Sequence, residues 1–124
     1  MNKSRKGYIK ELECRKILEA EGWLILFKSV RTRWFTVDFA HLFDTVAVRN
    51  TITNQEPVLE WLFVSNKHKS SYSKAHYTAI QAFKEAYGIA EGLYEVWVWN
   101  PPKWTGRGAN KVWNNAKWEV IKVA

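Results

Sequence analysis

Leu42-Phe43-Asp44-Thr45-Val46-Ala47-Val48 and Leu59-Glu60-Trp61-Leu62-Phe63-Val64-Ser65-Asn66-Lys67 are two apolar runs, each carrying an ionisable side chain that a packed core would not choose. Their length and their β-branched and aromatic content predict strands. Strand alternation puts Asp44 on a face with Leu42, Val46 and Val48, and puts Trp61, Phe63, Ser65 and Lys67 together on one face. A carboxylate buried in such a strand is expensive unless a cation or hydrogen bonds compensate it.

Outward from these runs, residues 8–21 predict a helix, with Leu12, Cys14, Ile17, Leu18 and Ala20 at helical spacing and Gly22 as its stop. Glu11 and Glu13 can each turn toward the apolar side, and periodicity does not choose between them. Trp23–Lys28 predicts a buried strand and Val37–Phe39 an extended or loop segment, while Arg49–Pro57 reads as polar and turn-rich. Ser70, Ser71 and Ser73 are candidate caps for a second helix, whose stripe is His76, Ile80, Phe83 and Tyr87, with Gly88 ending it. Tyr94–Trp99 alternates as a strand that Pro101-Pro102 stops, Lys103–Asn115 reads as a polar loop, and Trp118–Val123 as a final strand. The order, helix, three strands, helix, two strands, predicts a single α/β domain spanning 1–124, with one sheet flanked by helices.

Composition narrows the partners. The 19 Lys and Arg against 12 Asp and Glu give +7, which favours a polyanion such as nucleic acid. Cys14 is the only cysteine, which excludes an internal disulfide and a cysteine-based zinc site. His41, His68 and His76 lack metal-ligand spacing, and His76 on the apolar stripe reads as a satisfied interfacial residue. No stretch approaches the roughly 20 apolar residues of a membrane span, and the basic start Met1–Lys6 leads into no apolar segment. The chain therefore reads as cytoplasmic, with no membrane partner.

Glu11, Asp44 and Lys67 are the residue types that metal-dependent phosphodiester hydrolysis needs. Carboxylates hold a divalent ion that activates water and neutralises charge, and a lysine steadies the phosphate. Each has a plainer reading: Glu11 as a surface glutamate paired with Arg15, Asp44 as an acceptor of backbone hydrogen bonds, Lys67 as a strand-end lysine. Their order on a helix, a strand and a second strand favours the joint reading.

That order resembles the PD-(D/E)XK nuclease superfamily, most of all its archaeal and viral Holliday junction resolvases. The resemblance rests on Arg5-Lys6-Gly7-Tyr8-Ile9-Lys10-Glu11, on Leu18 and Glu21-Gly22-Trp23, and on Asp44 in its apolar run. Phe63-Val64-Ser65-Asn66-Lys67, the Ile80, Phe83, Tyr87-Gly88 helix, and the strand pair Glu95–Trp99 and Trp118–Ile121 extend it over nearly the whole chain. It implies a restriction-endonuclease-like core with a central mixed sheet, in the order α-β-β-β-α-β-β, and selects Glu11 over Glu13. It implies a Mg²⁺-dependent endodeoxyribonuclease, with Mn²⁺ as a substitute, that cuts branched DNA as a homodimer; its viral members allow a virus- or phage-encoded origin. Glu11, Asp44 and Ser65 would take the metal-binding positions, with Lys67 as the catalytic lysine. The family's third acidic ligand falls on Ser65, which offers only a neutral oxygen. Glu60 points to the opposite face, and Asp38 is a loop aspartate within reach of supplementing the site. An inactive nuclease fold that binds structured nucleic acid, and a nicking or linear-duplex nuclease, therefore stay open beside the resolvase.

Lys3, Arg5, Lys6, Lys10, Arg31, Arg33, Lys69 and Lys74 would border the cleft of such a fold and meet DNA phosphates. Lys103, Arg107 and Lys111, interleaved with Trp104 and Trp113, suggest a second arm able to grip unstacked bases, with simple packing of the tryptophans as the plainer reading.

Overall fold

In the N-terminal helix, Glu11, Cys14, Arg15 and Leu18 are spaced at i, i+3, i+4 and i+7, and this stripe is the one that is buried. Ile17 and Ala20, expected on the buried side, are exposed instead. Cys14 and Leu18 are buried as their spacing predicts, but two of the four buried residues are charged, so hydrophobic spacing alone tilts the face toward Ile17 and Ala20. A computed structural model describes residues 3–31, 36–40, 42–53, 55–87 and 92–124, with side chains at 3–6, 31, 36, 37 and 53 outside the description. Helix α1 covers Lys3–Ala20, beginning earlier than its apolar pattern. Gly22, at φ +92°, closes it in the left-handed conformation. Trp23 N–H donates to the Leu18 carbonyl at 3.0 Å and Gly22 N–H to the Glu19 carbonyl at 3.1 Å. Trp23 and Leu18 then pack in the same apolar cluster, which completes a Schellman end.

The strands that follow are β1 (Leu24–Lys28), β2 (Val30–Arg31), β3 (Thr36–Val37), β4 (Thr45–Thr53) and β5 (Glu56–His68). Helix α2 (Lys74–Tyr87) leads to β6 (Gly92–Asn100), β7 (Lys103–Thr105), β8 (Val112–Asn114) and β9 (Lys117–Lys122). The main sheet runs β1-β4-β5-β6-β9. Its one parallel pair is β5 with β6, joined through α2, while the other pairs are antiparallel. The fold is thus α/β with a mixed central sheet and two helices. Among the described residues no helix is long and apolar enough to cross a membrane.

Each sheet face carries its own core. Ala47, Leu62, Val64 and Trp97 pack with Cys14 and Leu18 of α1. Val46, Phe63, Tyr94, Val96 and Val98 pack with Ile80 of α2. The alternation of Val46 with Ala47, and of Leu62, Phe63 and Val64, is what divides them. A bulge between Ile25 and Phe27 sends the first toward the α1 cluster and the second toward the α2 cluster. The α2 side is aromatic: Phe63 stacks on Tyr94 at 4.8 Å between centroids, and Phe43 meets Phe83 edge-on at 5.2 Å.

Two predicted loops are strands. Arg49–Pro57 belongs mostly to β4 and β5, which continue in register to Thr53↔Glu56. Polar residues sit there because an antiparallel ribbon beyond the core has water on both sides. Lys103–Asn115 contains the hairpin β7–β8, with a 3-10 turn at Gly108–Asn110 between its strands. Of the three candidate serines, Ser73 caps α2, its Oγ accepting the His76 N–H at 3.3 Å. The expected stop at Gly88 lies outside the described residues.

Candidate active site

Asp44 lies one residue before β4, so strand alternation does not govern it. It was expected on the face of Val46 and Val48, but its carboxyl instead turns to Glu11 and to the exposed end of the β5 ladder. Its backbone N–H donates to the Val64 carbonyl at 2.9 Å. Its Oδ2 accepts the Asn66 N–H at 2.6 Å, a donor that β4 no longer pairs at this point. Burial pushes the Asp44 carboxyl up to about 7, against the Asn66 hydrogen bond, which lowers it. The charges of Glu11 and Asp38, and a hydrogen bond with Glu11, raise it further. Glu11 is itself only 3% exposed. Two carboxyl groups thus share one buried spot, and full ionisation of both is unfavourable. Glu13, the alternative glutamate, is instead paired with Lys10 at 3.3 Å on the outside of α1.

Asp38 stands one side chain away. Ser29 Oγ donates to Asp38 Oδ1 at 2.5 Å and lies 3.2 Å from Asp44 Oδ1. A hydroxyl has a single hydrogen, and the shorter contact takes it. Ser29 therefore joins the aspartates, a role for which the sequence carries no signal.

Ser65 and Lys67 point to the other helix, as the alternation from Trp61 and Phe63 predicts. The buried Ser65 Oγ lies 2.8 Å from His76 Nε2 of α2. Burial, followed by the charge of Lys67, lowers the His76 pKa, so its ring is neutral at neutral pH. His76 is the site neighbour that sequence reasoning placed only at a packing interface. Its partner is distant in sequence and becomes visible only when α2 lies across β5.

The basic residues fare unevenly. Lys10 Nζ sits 3.3 Å above the Trp99 ring, close to Glu13, and is half-buried. Lys69 and Lys74 are exposed at the end of β5 and the start of α2. His68 is exposed, with its Nδ1 2.8 Å from Ser70 Oγ. Arg33 and His41 lie outside the described residues, as do the side chains of Lys3, Arg5, Lys6 and Arg31.

Among the described residues no three His, Cys, Asp or Glu side chains converge closely enough to form a metal cage. The Glu11–Asp44 pair nonetheless fits Mg²⁺, which takes one or two carboxylates and completes its shell with water. A carboxyl pushed up to about 7 by burial, with neighbouring acids adding to the shift, is a place where a cation favours ionisation and relieves repulsion. Ser65 Oγ is turned to His76 on the α2 side of the sheet, the face opposite α1, so the structure does not bring it to the Glu11–Asp44 pair. Set against known protein families and curated proteins, the chain matches no family model and no curated sequence.

Proposed function

We propose that the chain is a divalent-metal-dependent endonuclease with a restriction-endonuclease-like core of the PD-(D/E)XK type, acting on branched DNA such as a four-way junction. The observation that carries this reading is the buried Glu11–Asp44 pair, in which Asp44 is pushed up to about 7. Glu11 and Asp44 would hold Mg²⁺ or Mn²⁺, and the bound ion would supply Lewis acidity and a more acidic water. Lys67 neutralises a phosphate oxygen. Ser65, buried against neutral His76 on the α2 side, would reach the ion only through intervening water. Lys69 and Lys74 hold the backbone through sequence-independent phosphate contacts. Paired cuts across a junction need two sites, hence a twofold homodimer.

A second reading has its own observation. The position where the resembled family carries its third acid is Ser65, and its hydroxyl is engaged by His76. This favours a nuclease fold that binds structured nucleic acid without cutting it.

Labelled four-way junction, nicked duplex and linear duplex separate these readings when incubated with Mg²⁺, Mn²⁺ or chelator. Paired metal-dependent cuts confined to the junction, lost in Asp44→Asn and Lys67→Ala, support the resolvase. Cutting of every substrate keeps the nuclease and discards the junction. Salt-sensitive binding with no cutting in either metal establishes the non-catalytic reading.

A further inference from the structure

Every residue from Pro101 to Asn115 is exposed, so the β7–β8 hairpin projects from the body of the protein. It has its own internal structure. Asn114 Nδ2 donates to Thr105 Oγ1 at 2.9 Å, tying the two strands together. Gly106 sits at φ +88°, where an added Cβ would come within 2.7 Å of the Asn110 carbonyl oxygen, so the turn is tight and specific. Trp104 and Trp113 pair directly across the strands with centroids 5.2 Å apart.

A cross-strand tryptophan pair stabilises a short hairpin by itself. That role accounts for the contact between the rings and leaves two features unexplained. First, the rings remain 58% and 48% exposed, whereas Trp23 and Trp97 of the same chain are buried. Second, Lys103, Arg107, Lys111 and Lys117 stand between residues 101 and 118 with no Asp or Glu among them. Lys111 Nζ lies 5.8 Å from the Trp104 ring. At the hairpin's foot, Lys103 is close enough to Lys69 that the second charge lowers the pKa of the first. Adjacent ammonium groups repel unless an anion lies between them.

The hairpin also has a defined address. Lys69 N–H donates to the Trp99 carbonyl at 2.9 Å, so the end of β5 and the end of β6 are tied side by side. β5 carries Ser65 and Lys67 toward that end, and β6 runs from it into the hairpin. The arm therefore leaves the sheet from the end that bears the candidate active site.

We propose that the β7–β8 hairpin is a binding site for unpaired nucleotides, with bases stacked on Trp104 and Trp113 and backbone phosphate held by Lys69 and Lys103. Open aromatic faces take an unstacked base of any sequence, while a duplex keeps its bases closed against each other. The cations fit the phosphates that accompany the bases, and the chemistry suits DNA and RNA alike.

The site is tested by binding alone, in chelator, so that loss of cleavage in the proposed active site has no bearing on the result. The probes are short fluorescent oligothymidine, oligouridine and a duplex of equal length, read by anisotropy across a salt series. The wild type is expected to bind at least one single strand in preference to the duplex, with affinity falling as salt rises. Trp104→Val with Trp113→Val, a β-branched pair that suits a hairpin, is expected to weaken single-strand binding by about tenfold or more. Trp104→Phe with Trp113→Phe keeps aromatic faces and is expected to retain most of it. Lys69→Ala with Lys103→Ala is expected to flatten the salt dependence. Wild-type binding no tighter to either single strand than to duplex overturns the proposal. So does a valine pair that binds like the wild type, or attachment to phosphatidylserine vesicles without oligonucleotide binding.

Discussion

Asp44→Asn removes the ionisation that the fold resists, and its effect should depend on pH in a defined direction. A carboxyl whose folded pKa lies above its unfolded one favours the fold at low pH and loses that contribution as pH rises toward the folded value. For Asp44 the ordinary value is 3.8 and the folded one about 7. At about 1.4 kcal/mol per pH unit, the loss amounts to about 4 kcal/mol in all, and about 3 of these fall between pH 5 and pH 8. The proton belongs to the Glu11–Asp44 pair as a whole, so the transition reports the pair. In the Asp44→Asn variant the new amide oxygen can still accept the Asn66 N–H, and no charge remains at this position to be desolvated. Urea unfolding followed by tryptophan fluorescence, in chelator at pH 5 and pH 8, gives the comparison. The wild type should lose about 3 kcal/mol relative to Asp44→Asn on going from the lower pH to the higher. His76, lowered in pKa, acts in the opposite sense but is common to both proteins and drops out of the difference. Mg²⁺ added at pH 8 should restore stability to the wild type and leave the variant unchanged. Parallel stability of the two proteins across this pH range would refute the buried acid pair as the source of strain.

Three further outcomes are expected. Cys14, buried and with its thiol pushed up to about 12, should resist iodoacetamide in the native protein and react on unfolding in urea, as mass spectrometry would show. Ile80→Ala removes a fully buried anchor of α2 and should cost about 2–5 kcal/mol in denaturant unfolding. Gly22→Ala meets no neighbour within 4 Å, so its cost is conformational alone. It should lower stability by about 1 kcal/mol, again read by denaturant unfolding, through the left-handed backbone that ends α1.

How much of this was legible in the sequence depends on how local each signal was. β5 was readable because Trp61, Phe63, Leu62 and Val64 alternate between two faces, and the structure keeps that alternation through Ser65. The Gly22 stop was readable because its chemistry lies within six residues. The inward face of α1 was readable in part: Cys14 and Leu18 mark it, while Arg15 registers as polar and Ile17 and Ala20 draw the pattern to the exposed side. The β7–β8 hairpin escaped because Lys103–Thr105 and Val112–Asn114 are too short to show a period, and their pairing is information between strands. The Ser65–His76 contact and the Ser29 bridge depend on which elements meet in space. Their local sequence carries no trace of that.

The single parallel seam of the sheet has a consequence for the order in which the molecule assembles. β1, β4 and β5 form one antiparallel unit and β6 with β9 another, each from neighbouring stretches of chain. Joining them requires the chain to pass through α2 and return, a closure that local pairing cannot nucleate. Until it happens, Phe63 and Val64 on one side and Val96 and Val98 on the other lie along open strand edges, ready to pair with another copy of the chain. The contact of Asp44 with Asn66 belongs wholly to the first unit, whereas Ser65 meets His76 only once α2 has folded back onto β5. A chain stalled before α2 docks would therefore carry the Asp44–Asn66 contact and Lys67 on β5 without the Ser65–His76 contact.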